Sequence, residues 1–230
     1  MNRQEPNLAK LNERKTEKLV EKRLDAAGYN DEDKDIVIEQ QSSDSPIIQK
    51  LLRAASKKGS GVGRPEFIIH AKKYPDLIIV VECKADHQKH ASESLDQYAD
   101  YAVDGALLYA SYLAREFDVL AIGVSGQDEG TYRVSHHLVL KGTTKPLPFE
   151  EAEDILPMSE YYDFITNSDV KFRQNYQSLI EFSRTLNNSL QAKKITESER
   201  AFLISGIPVS YTHLRAHETD SYLVCRLLLE

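Results

Sequence analysis

Cysteine is nearly absent from this 230-residue chain; Cys83 and Cys225 are the whole complement. Cys225 lies in a C-terminal stretch set apart below, so no disulfide framework is expected. Apolar runs are short. None approaches the ~20 residues that cross a bilayer, and the opening MNRQEPNLAK lacks a secretory apolar core. These absences lead to the expectation of a cytoplasmic protein with no membrane partner. A phosphate-cradling glycine loop is also missing, because GSGVG at 59–63 has neither the lysine nor the helix context. No Ser-His-Asp arrangement, internal repeat or heptad pattern stands out. Positive charge is in deficit: the net charge is −7. That argues mildly against a nucleic-acid partner unless the charge is unevenly distributed.

The most informative segment is GVGRPEFIIHAKKYPDLIIVVECK, residues 61–84. Two apolar runs, Phe67-Ile69 and Leu77-Val81, flank a polar turn containing Pro75 and Asp76. Side chains alternate along a strand, so Glu82 and Lys84 share a face with Ile78 and Val80. Leu77, Ile79, Val81 and Cys83 cover the other face. A strand apolar on both faces is normally buried. A carboxylate and an ammonium at its end then need partners or a chemical role. Metal-dependent phosphodiester hydrolysis supplies such a role. Carboxylates hold a divalent ion, and a nearby cation steadies the water or the charge on phosphorus. The plainer alternative is a simple ion pair at a strand end.

This pattern resembles the PD-(D/E)xK nuclease core, in which an acidic residue on one strand precedes Glu-x-Lys on its hairpin partner. Pro75-Asp76 is a literal match to "PD" but falls in the turn. A strand of six residues at ~3.3 Å each separates it from Glu82 by about 20 Å. Glu66 is the better partner, because the start of the first hairpin strand lies beside the end of the second. Glu66 stands where the family more often has Asp. The resemblance implies Mg²⁺ or Mn²⁺ held by Glu66, Glu82 and the Cys83 carbonyl oxygen, with Lys84 orienting the attacking water.

Gln97 and Tyr101 match the Gln-x-x-x-Tyr element of type I restriction R subunits and RecB-like nucleases, where Gln97 would help position the metal or phosphate. At i,i+4 both would lie on one helix face. Thr16-Glu17 resembles the first helix of these domains, whose glutamate approaches the metal; a solvated network with Glu13, Lys18, Glu21 and Lys22 is the alternative. Residues 101–126 and 195–207 resemble bacterial fusions of a restriction-type nuclease with an N-6 adenine DNA methyltransferase. S-adenosylmethionine would belong only to that further methyltransferase part. From about Val209 the chain reads like translated sequencing-adapter read-through, and the native protein is expected to continue past Pro208. His213, His217 and Cys225 sit in that tail, so a zinc site there is not favoured.

The expected organisation is a nuclease domain over 1–148, a helical extension over 149–208 and a non-native tail over 209–230. The expected fold is a restriction-endonuclease-like α/β/α sandwich. Its helices fall at 8–27, 46–55 and 91–115, its strands at 35–41, 65–85, 119–124 and 132–140, and its sheet is mixed. Lys50, Arg53, Lys57, Lys58, Arg64, Lys72 and Lys73 crowd residues 50–73 against Glu66 alone, while 146–170 carry no Lys or Arg. Lys57, Lys58, Arg64, Lys72 and Lys73 are therefore candidate DNA contacts, with a solvated charge run as the alternative. His70, His87 and His90 are expected to be phosphate contacts or surface residues. Two function classes follow. One is a Mg²⁺-dependent endonuclease acting on double-stranded DNA within a restriction-modification protein, working with a specificity subunit or the rest of its own chain. The other is a non-catalytic DNA-binding or scaffold module with a decayed nuclease fold.

Overall fold

Helix α1 (Glu13–Ala26) begins at Asn12, whose side chain accepts from Arg14 N–H. Thr16, Val20 and Leu24, spaced i, i+4, i+8, form its buried stripe. It ends at Gly28, whose φ of 75° suits the left-handed position after a helix. The computed structural model describes residues 12–31, 35–56, 61–197 and 199–200. Within them follow β1 (Ile36–Glu39), α2 (Pro46–Leu52), β2 (Phe67–Ala71), β3 (Leu77–Lys84), α3 (Ala102–Leu113), β4 (Asp118–Ser125), β5 (Arg133–Val139), β6 (Leu147–Pro148), α4 (Met158–Asn167) and α5 (Asp169–Ala192).

The six strands form one sheet in sequence order, β1 to β6. Every neighbouring pair is antiparallel except β3 with β4, which is parallel. A parallel pair needs a crossover, and α3 supplies it. The expected mixed α/β sheet is thus present. Its core is divided by the pleat. Phe67, Ile69, Leu77, Ile79, Val81 and Cys83 pack with Val20 and Leu24 of α1 and with Met158, Tyr161 and Ile165 of α4. Ile68, Ile78 and Val80 pack with Ile48 and Leu52 of α2 and with α3. The alternation within β3 assigns both sets as the sequence pattern predicts. Only the last residue of β3, Lys84, escapes full burial. Gly123 lets α3 approach the sheet: a Cβ there would lie 2.7 Å from the Val103 backbone nitrogen.

One expectation is corrected. The helix expected over 91–115 begins only at Ala102. The buried Asp104 carboxylate accepts from Ser92 N–H, from the Ser92 hydroxyl and from Gln97 N–H, which holds 92–97 as a loop. The chain divides into two compact units. The first compact unit ends at Ile165, because Phe149, Ile155, Met158, Tyr161 and Ile165 belong to its core. The second unit begins at Thr166 and carries α5, capped by the Ser168 side chain accepting from Lys171 N–H. No residue of α5 is buried, and Phe172 stacks on Tyr176 with ring centroids 6.5 Å apart. Among the described residues no helix is long and apolar enough to cross a membrane. The tail over 209–230, with His213, His217 and Cys225, lies outside the described residues, as do Lys57 and Lys58.

Candidate active site

The site is built on the β2–β3 hairpin. Phe67 pairs with Val81, so one further step of the antiparallel register sets Glu66 across from Glu82, and the next sets Pro65 across from Cys83. The Lys84 carbonyl accepts from Gly126 N–H on the β4 side. The pleat turns the Cys83 carbonyl the opposite way, toward Pro65, which has no N–H to donate. Glu66, Glu82 and the Cys83 carbonyl thus all lie at the end of the hairpin away from its turn.

Glu82 is fully buried. Its room is made by Gly105 of α3, where a Cβ would stand 3.0 Å from Glu82 Cγ. The Lys84 ammonium lies 3.6 Å from Glu82 Oε1 and 3.1 Å from Glu13 Oε1. Helix α1 is fastened here by the buried Thr16, whose hydroxyl donates to the Gly126 carbonyl at 2.7 Å and to the Lys84 carbonyl at 3.4 Å. Glu17 is paired with Arg14 at 2.5 Å. The field at the neighbouring Cys83 registers the cluster. Burial pushes that thiol well up, and Glu82, Glu66, Glu17 and Glu13 push it further. Arg14 is raised chiefly by its hydrogen bond and attraction to Glu17, with Glu66 adding a smaller share.

Glu66, Glu82, Lys84 and Glu17 therefore share one region, and Glu13 joins them. From the sequence, Glu13 reads only as part of a solvated network. Its signal is the i,i+4 spacing to Glu17, which puts both on one face of α1.

The remaining predicted residues take the following places. Gln97 is exposed and precedes α3. Its carbonyl accepts from Asp100 and Tyr101 N–H, so Gln97 and Tyr101 bracket a single turn and not a helix face. Tyr101 lies under the Lys89 ammonium, 4.7 Å from the ring centroid. Lys72 and Lys73 occupy the β2–β3 turn, at the end of the hairpin away from Glu66 and Glu82. Linear clustering of charge misleads here, because the hairpin carries its turn a strand's length away. Asp76 lies in the same turn, its carbonyl accepting from Asp118 N–H. Among the described candidates for DNA contact, Arg64, exposed and two residues before Glu66, stays beside the acidic site. His70 pairs with Glu39 at 3.3 Å and His87 with Asp86 at 3.9 Å. His90 departs from the expected phosphate contact. It bridges the Ser125 and Ser135 hydroxyls at 2.9 and 2.8 Å, and burial, helped by Arg133 and His137, lowers it to about 4. A neutral imidazole held between two hydroxyls offers a phosphate no charge.

Among the described residues, no three His, Cys, Asp or Glu side chains form a metal-ligand group. The donors expected from the sequence are two carboxylates and a carbonyl. That suits Mg²⁺, which prefers oxygen and keeps several waters. The loop delivering Glu66 leaves no slack. Gly63 N–H donates to the Leu52 carbonyl at 2.8 Å, and a Cβ on Gly63 would lie 2.6 Å from the Ala55 oxygen. Gly63→Ala is expected to destabilise the fold by about 1–3 kcal/mol through overpacking; urea unfolding measures this, and an unchanged midpoint would contradict the packing. No protein-family model, curated protein or solved structure matches the chain.

Proposed function

We propose that the chain carries a Mg²⁺-dependent DNA endonuclease domain of the PD-(D/E)xK, restriction-endonuclease-like kind, acting in the cytoplasm within a restriction-modification protein. The observation that carries this reading is the Phe67–Val81 pairing, which continued by one residue brings Glu66 beside Glu82, with the Lys84 ammonium 3.6 Å from Glu82. Glu66, Glu82 and the Cys83 carbonyl are the donors for the ion. When bound, the ion would supply Lewis-acid stabilisation of the phosphate and a more acidic water.

The chain's own residues account for the rest. Lys84 holds the attacking water by hydrogen bonding and offsets charge as the phosphorus becomes five-coordinate. Glu13, 47% exposed at its side chain, is placed to release the amine when a phosphate arrives. Thr16 keeps the backbone of Lys84 fixed while the amine changes partner. Arg64 meets the DNA backbone. Sequence recognition would fall to a specificity subunit.

A second reading is a DNA-binding or scaffold module that has lost catalysis; the Glu13–Lys84 contact at 3.1 Å favours it by occupying the amine. Nicking of supercoiled plasmid with Mg²⁺ separates the two. The nuclease reading expects nicking by the wild type and a loss of about 10²–10³-fold in Lys84→Ala, the scale of removing one preorganised charge donor. Equal rates in both proteins would refute the role of Lys84, and wild type inert with Mg²⁺ and with Mn²⁺ would favour the second reading.

A further inference from the structure

We infer that Arg133 is a further DNA contact of this site, holding a phosphate on the β5 side of the one at Lys84. The inference rests on the reading of Glu66, Glu82 and Lys84 as a nuclease site. It is carried by the sheet register. Lys84, the last residue of β3, pairs with Ser125 at the end of β4, and Ser125 pairs with Arg133 at the start of β5. The three stand in one row at one end of the sheet. Residues directly opposite on neighbouring strands share a face, and so do residues an even number of positions apart on one strand. Ile78 and Val80 of β3, Val119 and Ala121 of β4 and Val139 of β5 all belong to the core layer of α2 and α3. Lys84, Ser125 and Arg133 are in step with them, and Glu82 is too.

The row is braced. His90, from the segment after β3, bonds the Ser125 hydroxyl at 2.9 Å and the Ser135 hydroxyl at 2.8 Å. Its backbone carbonyl accepts from Val103 N–H in the first turn of α3. One residue thus ties β4, β5 and α3 at the end that carries Lys84 and Arg133. The Arg133 charge opposes protonation of this imidazole, in agreement with the register. Ser125 is fully buried, whereas Arg133 is exposed. Among the described residues no carboxylate forms an ion pair with Arg133. Neighbouring strands lie about 4.8 Å apart, so two steps put Arg133 roughly 10 Å across the sheet from Lys84. One strand of DNA carries a phosphate every ~3.4 Å of axis, so this gap is about three nucleotides. Arg64 stands on the other flank, before Glu66. A DNA strand crossing the sheet end from β2 toward β5 meets Arg64, then the acidic pair with Lys84, then Arg133.

The test is binding of a fluorescent DNA duplex in Ca²⁺ by the full chain, titrated over a range of salt. Arg133→Ala should weaken binding roughly five- to tenfold at 0.1 M salt. Its plot of log affinity against log salt should be shallower by about 0.9, the share of one phosphate contact. Arg133→Lys should keep the wild-type slope, because lysine holds phosphate as a point charge. Lys72→Ala combined with Lys73→Ala, at the far end of the hairpin, should also match wild type. In nicking with Mg²⁺, the loss in Arg133→Ala should fall on KM for DNA and not on kcat. Equal slopes in wild type and Arg133→Ala overturn the inference. An equal loss in the turn double variant overturns it too, as does a wild type that binds no DNA. A wild type that binds DNA and never nicks it ends the nuclease reading alone, and the slopes still decide whether Arg133 holds a phosphate.

Discussion

Glu82→Gln is expected to leave the metal-free protein as stable as wild type or more so, and to erase the stabilisation that Mn²⁺ gives the wild type. Glu82 is fully buried, and it follows Val81, the partner of Phe67, as Glu66 precedes Phe67. A buried carboxylate carries a desolvation cost that an ammonium 3.6 Å away offsets only in part. The amide keeps the shape, removes that cost and removes repulsion from Glu66. What is lost is the ion site. An ion at about one hundred times its dissociation constant stabilises a folded protein by ~2.7 kcal/mol. For a chain of this size that is a rise of roughly 5–10 °C in melting temperature. Wild type should show that rise with Mn²⁺ and Glu82→Gln should not. If Glu82 were only the structural partner of Lys84, the substitution would instead lower the melting temperature without metal. Differential scanning calorimetry with and without Mn²⁺ separates these outcomes.

The second large effect is acid lability centred on His136. This histidine is 4% exposed, and Tyr161 reaches its Nε2 at 2.9 Å. Its Nδ1 is buried with no hydrogen-bond partner. Burial lowers it from 6.5 to about 4, although Asp154 pulls the other way. Between those values the unfolded chain binds a proton that the folded chain refuses. Stability therefore rises with pH across this window and falls on acidification through it. A shift of that size corresponds to roughly 3 kcal/mol lost by pH 4. His90, lowered to about 4 by burial first, adds in the same direction. Urea unfolding at pH 7 and pH 4.5 should show a smaller difference for His136→Gln than for wild type. Equal differences in the two proteins would contradict the assignment to His136.

The parts of this molecule that are legible in the sequence are those set by local periodicity. Strand β3 is apolar at every position from Leu77 to Val81, and its alternation divides the two core faces. Glu66 can be preferred to Asp76 because strand length alone keeps Asp76 at the far end. The rest depends on side chains reaching across the fold. The residues 91–101 contain nothing that forbids a helix, and only the buried Asp104 carboxylate, gathering Ser92 and Gln97, holds them as loop. That reach is invisible to a periodicity count, which is why the sequence pattern puts Gln97 and Tyr101 on a helix face. Lys72 and Lys73 group with Arg64 along the chain, whereas the hairpin separates them in space. Thr16 and Glu13 enter the site through partners 68 and 71 residues away, beyond the range of any local pattern.

The nuclease reading stands on Glu66 and Glu82 holding one divalent ion. Crystals of the full chain soaked in Mn²⁺, with anomalous differences collected at the manganese edge, test this most directly. One peak is expected at roughly 2.1 Å from a carboxylate oxygen of each residue and near the Cys83 carbonyl, the distance of a hard cation to oxygen. A map with no peak there, or manganese bound only at other acidic residues while Glu66 and Glu82 stay apart, would contradict it.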